Sequence, residues 1–189
     1  AGQWKLWCKR PKTARERGEV IIGAILTQRT NWKNVELAIV HLKRAKLCSL
    51  KDVYRLGPSK SENLIRPSGF YKTKARYLFH LVEFILKNYG DFNLEKMRKA
   101  NLKELREQLL KLRGIGPETA DSILLYGLDK PIFIIDEYTR KLAKERNLAE
   151  NFSYDFLQRL FEENLRKDFR LYQDFHALIV INGKNSRMN

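Results

Sequence analysis

The chain has 189 residues and a mass of 22.4 kDa, which suits one domain or two small subdomains that share a core. Hydrophobic residues make up 43% of the chain and aromatic residues 11%, a composition that argues against wholesale disorder. No apolar run approaches the roughly 18 residues of a transmembrane helix, and no signal peptide opens the sequence.

The positive charge is concentrated in the first part of the chain. Lysine and arginine total 37 against 22 aspartate and glutamate, a net charge of +15. Residues 1–76 hold 18 basic and 5 acidic side chains, a net +13, whereas residues 77–189 hold 19 and 17, a net +2. A basic face of this kind indicates a polyanionic partner, either nucleic acid or an anionic membrane, unless it is only a solvated lysine-rich surface.

Cysteine and histidine are sparse and widely separated. Cys8 and Cys48 cannot form a disulfide framework, a zinc site or an iron–sulfur site by themselves. His41, His80 and His176 show no metal-binding spacing. We therefore expect no bound metal and take a reducing intracellular compartment as the default.

Helical periodicity runs through nearly the whole chain. Residues 131–135 have strand composition, but five residues are too few to predict a sheet, and we find no convincing alternating strand. The predicted fold class is all-α, with many helices and short loops. The predicted helices are 19–28, 33–45, 70–88, 101–111 with Asn101 as N-cap, 137–146, one capped by Ser153, and 171–181.

The segment 112–126, LRGIGPETADSILLY, predicts a helical hairpin. Gly114 and Gly116 permit a tight turn, and Pro117 suits the first position of the second helix. The free backbone N–H groups at that helix start form an anion site that a DNA phosphate fits, with Ile115 anchored between the two helices. The alternative is an ordinary hairpin with a glycine turn.

A single acid, Asp136, directly follows four apolar residues. A carboxylate at the end of a buried segment is costly unless it is paired or used in chemistry. The alternative is an N-cap for the helix that starts at residue 137, and both interpretations can hold together. A capping carboxylate would be held rigidly at the mouth of a cleft, with Arg140 one turn further along.

These features resemble the helix-hairpin-helix DNA glycosylase superfamily, which includes endonuclease III and the 3-methyladenine glycosylases. The resemblance spans roughly residues 20–184 and is closest to the endonuclease-III-like branch that excises alkylated purines. It is carried by LxGIGxxTA at 112–120, Asp136 with Arg140, GAILTQRT at 23–30, SGFYKTKA at 68–75 and GK at 183–184.

The resemblance implies two helical subdomains that flank a cleft. The first comprises residues 20–134 and includes the helix-hairpin-helix motif at about 101–128. The second combines residues 1–19 with residues 135–189. In this family the hairpin grips a DNA backbone phosphate, and the target base flips out of the duplex into the cleft.

The resemblance makes Asp136 the catalytic carboxylate, which stabilises the oxocarbenium-like sugar and guides the attacking water. Glu118 stands where bifunctional relatives carry a lysine that forms a Schiff base and then cuts the strand. A carboxylate cannot form an imine. We therefore predict a monofunctional glycosylase without an efficient lyase step.

Further contacts to DNA are implied by the same resemblance. Gln28 matches the polar residue that fills the gap left by the flipped base, and Phe70 matches the wedge that enters the base stack. The alternative for Phe70 is a core residue, and for the neighbouring lysines it is simple solvation. The remaining predicted DNA contacts are Lys72, Lys74, Gly114, Ile115, Gly116, Thr119, Arg140 and Lys184.

The base pocket is predicted from aromatic residues, because electron-rich rings bind a cationic alkylated purine well. Trp32 lies where the alkyl-purine branch has an aromatic pocket residue. Trp7 lies in a stretch that usually holds a WWP motif but reads WKLWCKRP here. Core packing is the alternative for both tryptophans, and a surface position is the alternative for Lys184.

Many relatives hold an iron–sulfur cluster on four cysteines just after the GK dipeptide. This chain reads GKNSRMN there, so we expect no cluster and no other cofactor. The predicted function is a monofunctional glycosylase for alkylated purines such as 3-methyladenine. It would act as a monomer on double-stranded DNA with a damaged base, in the cytoplasm or nucleoid of a prokaryote.

Two alternatives to that function stay open. One is a glycosylase with lyase activity for oxidised or mismatched bases, and the other is a non-catalytic helix-hairpin-helix DNA-binding module. A membrane-surface role is disfavoured, because no basic amphipathic helix with an exposed apolar face is evident.

Overall fold

The computed structural model describes residues 2–185, and within that range the chain is built from helices and their connections, as predicted for an all-α protein. The helices are α1 (Gly2–Trp7), α2 (Ala14–Leu26), α3 (Trp32–Arg44), α4 (Leu50–Ile65), α5 (Tyr71–Tyr89), α6 (Glu95–Lys99), α7 (Leu102–Leu110), α8 (Pro117–Ser122), α9 (Glu137–Glu145), α10 (Tyr154–Asn164) and α11 (Phe169–Asn185). A 3₁₀ turn at Arg66–Ser68 precedes α5, and a π-helical segment, Ile123–Gly127, continues α8.

Each predicted helix is present, with ends that differ from the prediction by up to five residues, the largest difference being at the start of α2. The sequence prediction missed α1, α4, α6 and the π-helical segment. The helix α4 lacks a continuous helical periodicity in its sequence. Gly57, with φ of 69°, kinks this helix directly before Pro58. Residues 131–135 run extended without pairing as a strand.

Side-chain caps fix where several helices begin. Asn101 accepts from the backbone N–H groups of Lys103 and Glu104, as predicted. Thr13 and Glu16 form a capping box at the start of α2. Ser153 precedes α10 in an extended conformation but makes no side-chain capping bond, so that detail of the prediction is wrong.

The centre of the molecule is α2, whose apolar residues point in all directions and are buried on all sides. It packs against the π-helical segment, α4 and α5, while α4 runs along α5 and α9 packs on α11. This last pair brings α11 against the residues that follow the extended segment 131–135.

A buried carboxylate joins the hairpin to α10. Asp121 is fully buried and accepts from Arg106 Nε at 2.7 Å, from the Tyr154 hydroxyl at 2.7 Å and from Gln158 Nε2 at 2.7 Å. Gln158 also donates to the carbonyl of Phe133, three residues before Asp136. Because the partners come from α7 and α10, and Gln158 also contacts the extended segment, this network fixes α8 relative to the segment that carries Asp136.

The division into subdomains 20–134 and 1–19 plus 135–189 stays a prediction. Residue 1 and residues 186–189 of the second proposed subdomain lie outside the described residues.

Candidate active site

A cavity of about 870 Å³ opens between α1, the loop from α2 to α3, α8, the start of α9 and α11. It brings together seven of the residues predicted for the site, although they come from distant parts of the sequence. Those residues are Trp7, Gln28, Trp32, Glu118, Thr119, Asp136 and Lys184.

Asp136 is the N-cap of α9 and faces the cavity, so the capping interpretation is confirmed. Its Oδ1 accepts from the backbone N–H of Thr139 at 2.8 Å and from the Thr139 hydroxyl at 3.0 Å. Its Oδ2 lies 3.4 Å from Nε2 of His176, and its side chain is 14% exposed. The carboxylate is therefore held in one orientation while part of it remains open to a ligand.

The surroundings of Asp136 favour its ionised form. Burial alone would raise the pKa of Asp136, because a charge is less well solvated inside the protein. The neighbouring imidazole of His176, 3.4 Å away, and the hydrogen bonds from the backbone and hydroxyl of Thr139 outweigh that effect. The pKa of Asp136 consequently lies below its ordinary value.

Glu118 stands at the rim of the same cavity, in the first turn of α8. The pKa of Glu118 is raised, first by crowding of protein around its carboxyl and then by the negative charge of Asp136. His176 and Arg140 oppose this rise only in part. Although Glu118 is exposed at the rim, the two carboxyl groups of the cavity thus differ in the direction of their pKa shifts.

His176 is a cavity residue that the sequence prediction did not include. It lies within an apolar stretch of α11 and has no motif around it, so no local signal separates it from a core histidine. Lys184 lies two turns further along α11 and lines the cavity too. Burial lowers the pKa of Lys184, with Asp136 acting in the opposite direction.

The aromatic wall of the cavity is a row of edge-to-face tryptophans. Trp7 packs at 6.0 Å from Trp4 and at 5.7 Å from Trp32, with both interplanar angles close to perpendicular. Trp7 is only 4% exposed and serves mainly as core beneath the pocket. Trp32 is half-buried, and its indole N–H has no partner. Of the two predicted pocket residues, Trp32 is the more accessible.

The hairpin has the geometry that its glycines predict. Gly114 adopts φ of 86°, whereas Gly116 at φ of −88° is an ordinary extended residue that precedes Pro117. Ile115 is buried between the helices, as expected. Gln28 donates from Nε2 to the carbonyl of Gly114 at 2.8 Å and to Thr119 Oγ1 at 3.1 Å, so this side chain is tied to the hairpin. Its gap-filling role stays a prediction.

A second groove of about 880 Å³ lies on the other side of Gln28, Glu118 and Thr119, which also line the first cavity. The groove extends past the hairpin to Phe70 and Arg140. The two spaces therefore share a common wall, and residues predicted to touch DNA lie around it.

Phe70 is 65% exposed, so the interpretation of this residue as core is wrong. Its backbone adopts φ of 45°, in the left-handed region, directly after Gly69 at φ of 68°. A non-glycine residue in that region is strained by about 1–3 kcal/mol. The side chain is thus exposed on a strained backbone, and its role as a wedge stays a prediction.

Arg140 is held against the protein rather than extended into solvent. Its guanidinium lies 5.8 Å over the ring of Tyr154, and its Nε and Nη1 donate weakly to the carbonyls of Phe152 and Ile135, each at 3.4 Å. A contact from Arg140 to DNA stays a prediction.

The predicted phosphate contact of Lys74 is wrong, because the structure buries this side chain. Its side chain is buried, with 2% of the residue exposed, and its ammonium donates to the carbonyls of Leu26 at 2.8 Å and Ser68 at 2.6 Å. Burial lowers the pKa of Lys74 to about 8. This ammonium links the end of α2, near Gln28, to the turn that carries Phe70. Lys72, by contrast, is exposed.

Salt dependence of DNA binding separates these two lysines. We expect Lys72→Met to reduce the log–log slope of affinity against salt by about 0.9, the value for one lost phosphate contact. Lys74→Met should leave that slope unchanged. It should instead lower the free energy of unfolding by about 1–3 kcal/mol, because two buried carbonyls lose their donor.

Fluorescence anisotropy of a labelled duplex over a KCl series, with thermal melts of both variants, makes this comparison. If Lys74→Met reduced the salt dependence of affinity as much as Lys72→Met, the Lys74 ammonium would not stay buried when the protein binds DNA.

Among the described residues, no helix is long and apolar enough to cross a membrane. Within the same residues, no three or more His, Cys, Asp or Glu side chains are grouped so that they could hold a metal ion.

The fold and this cavity define a helix-hairpin-helix base excision repair protein. The chain belongs to this family, since residues 22–167 match the model described as HhH-GPD superfamily base excision DNA repair protein. It is a DNA glycosylase of that superfamily.

Similar proteins support this assignment. A provisionally named DNA repair glycosylase, MJ1434 of Methanocaldococcus jannaschii, is 45% identical over 170 residues, which is 88% of this chain and 76% of that protein. The H. pylori 3-methyladenine DNA glycosylase bound to 1,N6-ethenoadenine is 31% identical with a TM-score of 0.80, over 95% of this chain and 89% of that one. A non-covalent endonuclease III–DNA complex shares the fold at 18% identity and a TM-score of 0.69, over 89% and 72% of the two chains.

Proposed function

We propose that this chain is a monofunctional glycosylase that releases alkylated purines such as 3-methyladenine from duplex DNA. The observation that carries the proposal is a tryptophan-walled cavity that holds an ionised carboxylate, Asp136, with Glu118 nearby. Aromatic faces and negative charge together favour a cationic base over a neutral one. The likeness to a 3-methyladenine glycosylase agrees with this choice.

The proposed reaction does not require the protein to protonate the leaving base. An N-alkylated purine carries a positive charge, so it departs as a neutral base when the glycosidic electron pair moves onto the ring. Positive charge then develops on the sugar, and the carboxylate of Asp136 stabilises it. Water adds to the anomeric carbon and gives up one proton to the surrounding solvent, which completes hydrolysis without a covalent intermediate.

A panel of oligonucleotides tests the substrate class. The duplexes carry 3-methyladenine, 7-methylguanine, hypoxanthine, 8-oxoguanine, uracil or a G·T pair, and base release is followed under single-turnover conditions. We expect the two alkylated purines to be released fastest. Release of 8-oxoguanine, uracil or mismatched thymine with no release of the alkylated purines would overturn the proposal.

A lysine in the cavity favours the alternative, a glycosylase with lyase activity. Lys184 has a lowered pKa, so its amine is easier to deprotonate than an ordinary lysine and could attack the sugar. We favour the monofunctional reaction because Glu118 occupies the position where bifunctional relatives carry the nucleophile, and because Asp136 favours the charged, non-nucleophilic form of Lys184.

Borohydride trapping separates the two reactions. We expect no stoichiometric covalent adduct between the protein and a substrate duplex, since Glu118 cannot form an imine. Lys184→Met is the matched variant: an adduct that forms with the native chain and disappears in this variant would establish a lyase that uses Lys184. An adduct that persists in the variant would place the nucleophile elsewhere, and either adduct contradicts the proposal.

We further propose that the protein acts as a monomer on duplex DNA in the nucleoid of a prokaryote. One cavity and one hairpin on the same chain provide both the reaction site and the anion site, so the reaction needs no second copy.

A further inference from the structure

The buried side of the cavity contains a histidine that the proposed reaction does not use. His176 is 5% exposed, and its Nε2, which forms no hydrogen bond, lies at ion-pair distance, 3.4 Å, from Asp136 Oδ2. Its Nδ1 lies 2.8 Å from the hydroxyl of Tyr126, a fully buried residue of the π-helical segment. The imidazole therefore bridges the reactive carboxylate and a buried phenol.

The hydrogen-bonding partners of Tyr126 constrain the protons on His176. The hydroxyl has one proton and two neighbours, Nδ1 and the carbonyl of Gln173 at 3.1 Å. If the Tyr126 hydroxyl donates to Gln173, it must accept a hydrogen bond from Nδ1–H of His176. The imidazole is then either charged or protonated only at Nδ1. The latter form would set a bare Nε2 lone pair against a carboxylate, which is repulsive.

If the hydroxyl donates to Nδ1 instead, the imidazole is neutral and carries its proton on Nε2. In both favourable arrangements Nε2, the ring nitrogen that lies 3.4 Å from Asp136 Oδ2, therefore carries a proton. This holds whether His176 is charged or neutral.

The surrounding groups hold the ring in this place. Trp4 packs edge-on at 6.2 Å and Phe133 at 6.4 Å, so rotation of the imidazole requires movement of two large rings. The ionisable groups around the imidazole are Asp136 and Glu118 across the cavity, Tyr126 behind it, and Lys184 on its own helix. The nearest opposite charge is Asp136.

We propose that His176, anchored by Tyr126, is the positioning residue for Asp136. Thr139 holds Oδ1 of the carboxylate, and His176 holds Oδ2 and keeps the group ionised when a flipped base has excluded water from the cavity. This inference rests on the proposed function, because it assigns the reactive role to Asp136.

The first test needs no substrate. The carboxyl ¹³C shift of Asp136 is followed against pH in the free protein for the native chain, His176→Gln and Tyr126→Phe. We expect His176→Gln to move the Asp136 titration to higher pH, because the amide keeps an N–H but carries no charge. Tyr126→Phe should cause a smaller shift in the same direction. An unchanged Asp136 titration in both variants would overturn the inference.

The second test measures base release between pH 5 and pH 8 on a 7-methylguanine duplex. In His176→Gln, the ratio of the rate at pH 5 to the rate at pH 8 should fall about tenfold relative to the native chain. His80→Gln, an exposed histidine on α5, is the matched control and should leave the ratio unchanged. A histidine that only fills space would lower the melting temperature without changing this ratio, and that result contradicts the inference.

The two tests also separate the inference from the proposed function. If the Asp136 titration moves as expected but no duplex of the panel is cleaved, the positioning contact stands and the proposed reaction fails. If alkylated purines are released but neither the titration nor the pH ratio changes, the reaction stands and the role of His176 fails.

Discussion

Replacing Asp136 with asparagine is expected to slow base release by at least about 10²- to 10³-fold, the range for removal of one preorganised electrostatic group. The substitution removes charge but not the cap, because the asparagine carbonyl can still accept from the backbone N–H of Thr139. Duplex binding should be retained or strengthened, because an anion that faces the DNA phosphates is lost.

The measurement pairs single-turnover base release with anisotropy binding of the same duplex. Asp91→Asn, which removes an exposed carboxylate that lines neither the cavity nor the groove, is the matched control for charge. Thermal melts verify that the Asp136 variant is folded. Full base release by Asp136→Asn would refute the proposed mechanism, and absence of base release from the native chain would favour the non-catalytic binding module.

Replacing Gly114 with alanine should destabilise the protein by about 3 kcal/mol. Gly114 has φ of 86°, and an added Cβ would lie 2.2 Å from Cδ2 of Tyr77, far inside van der Waals contact. The strain of the backbone and the overlap with the ring act together, because α5 and the hairpin must move apart. A loss of this size lowers the melting temperature by about 6–12 °C in a chain of this length.

Gly116→Ala is the matched control in the same turn. A Cβ at Gly116 meets nothing within 4 Å, and φ there is ordinary, so its melting temperature should stay close to that of the native chain. Calorimetry of both variants makes the comparison. Equal melting temperatures for the two variants would mean that the close approach of Gly114 to Tyr77 does not exist in solution.

Local chemistry explains which parts of the site could be predicted from sequence. The hairpin and the cap at Asp136 each depend on neighbours within a few residues: two glycines and a proline in one case, and a carboxylate before a helix in the other. Such features are visible in the printed sequence because the interacting groups are close along the chain.

His176 and Lys74 illustrate what local chemistry cannot provide. His176 becomes a cavity residue only because α11 packs on α9, and the residues near it in sequence are those of an ordinary apolar helix. Lys74 lies in a basic cluster that suggests a phosphate contact, yet the carbonyls of Leu26 and Ser68 draw its ammonium inside. The burial of a charged side chain is decided by distant acceptors, which a count of charges does not reveal.

The left-handed backbone of Phe70 also bears on how this protein responds to selection in the laboratory. Glycine at this position would relieve the strain and so raise thermal stability, but it would delete an exposed aromatic ring at the end of the groove. A library screened for heat resistance alone should therefore enrich glycine at position 70. A library screened for DNA repair in living cells should instead retain phenylalanine at position 70. Comparison of the two selected populations would measure how far stability and activity conflict at this residue.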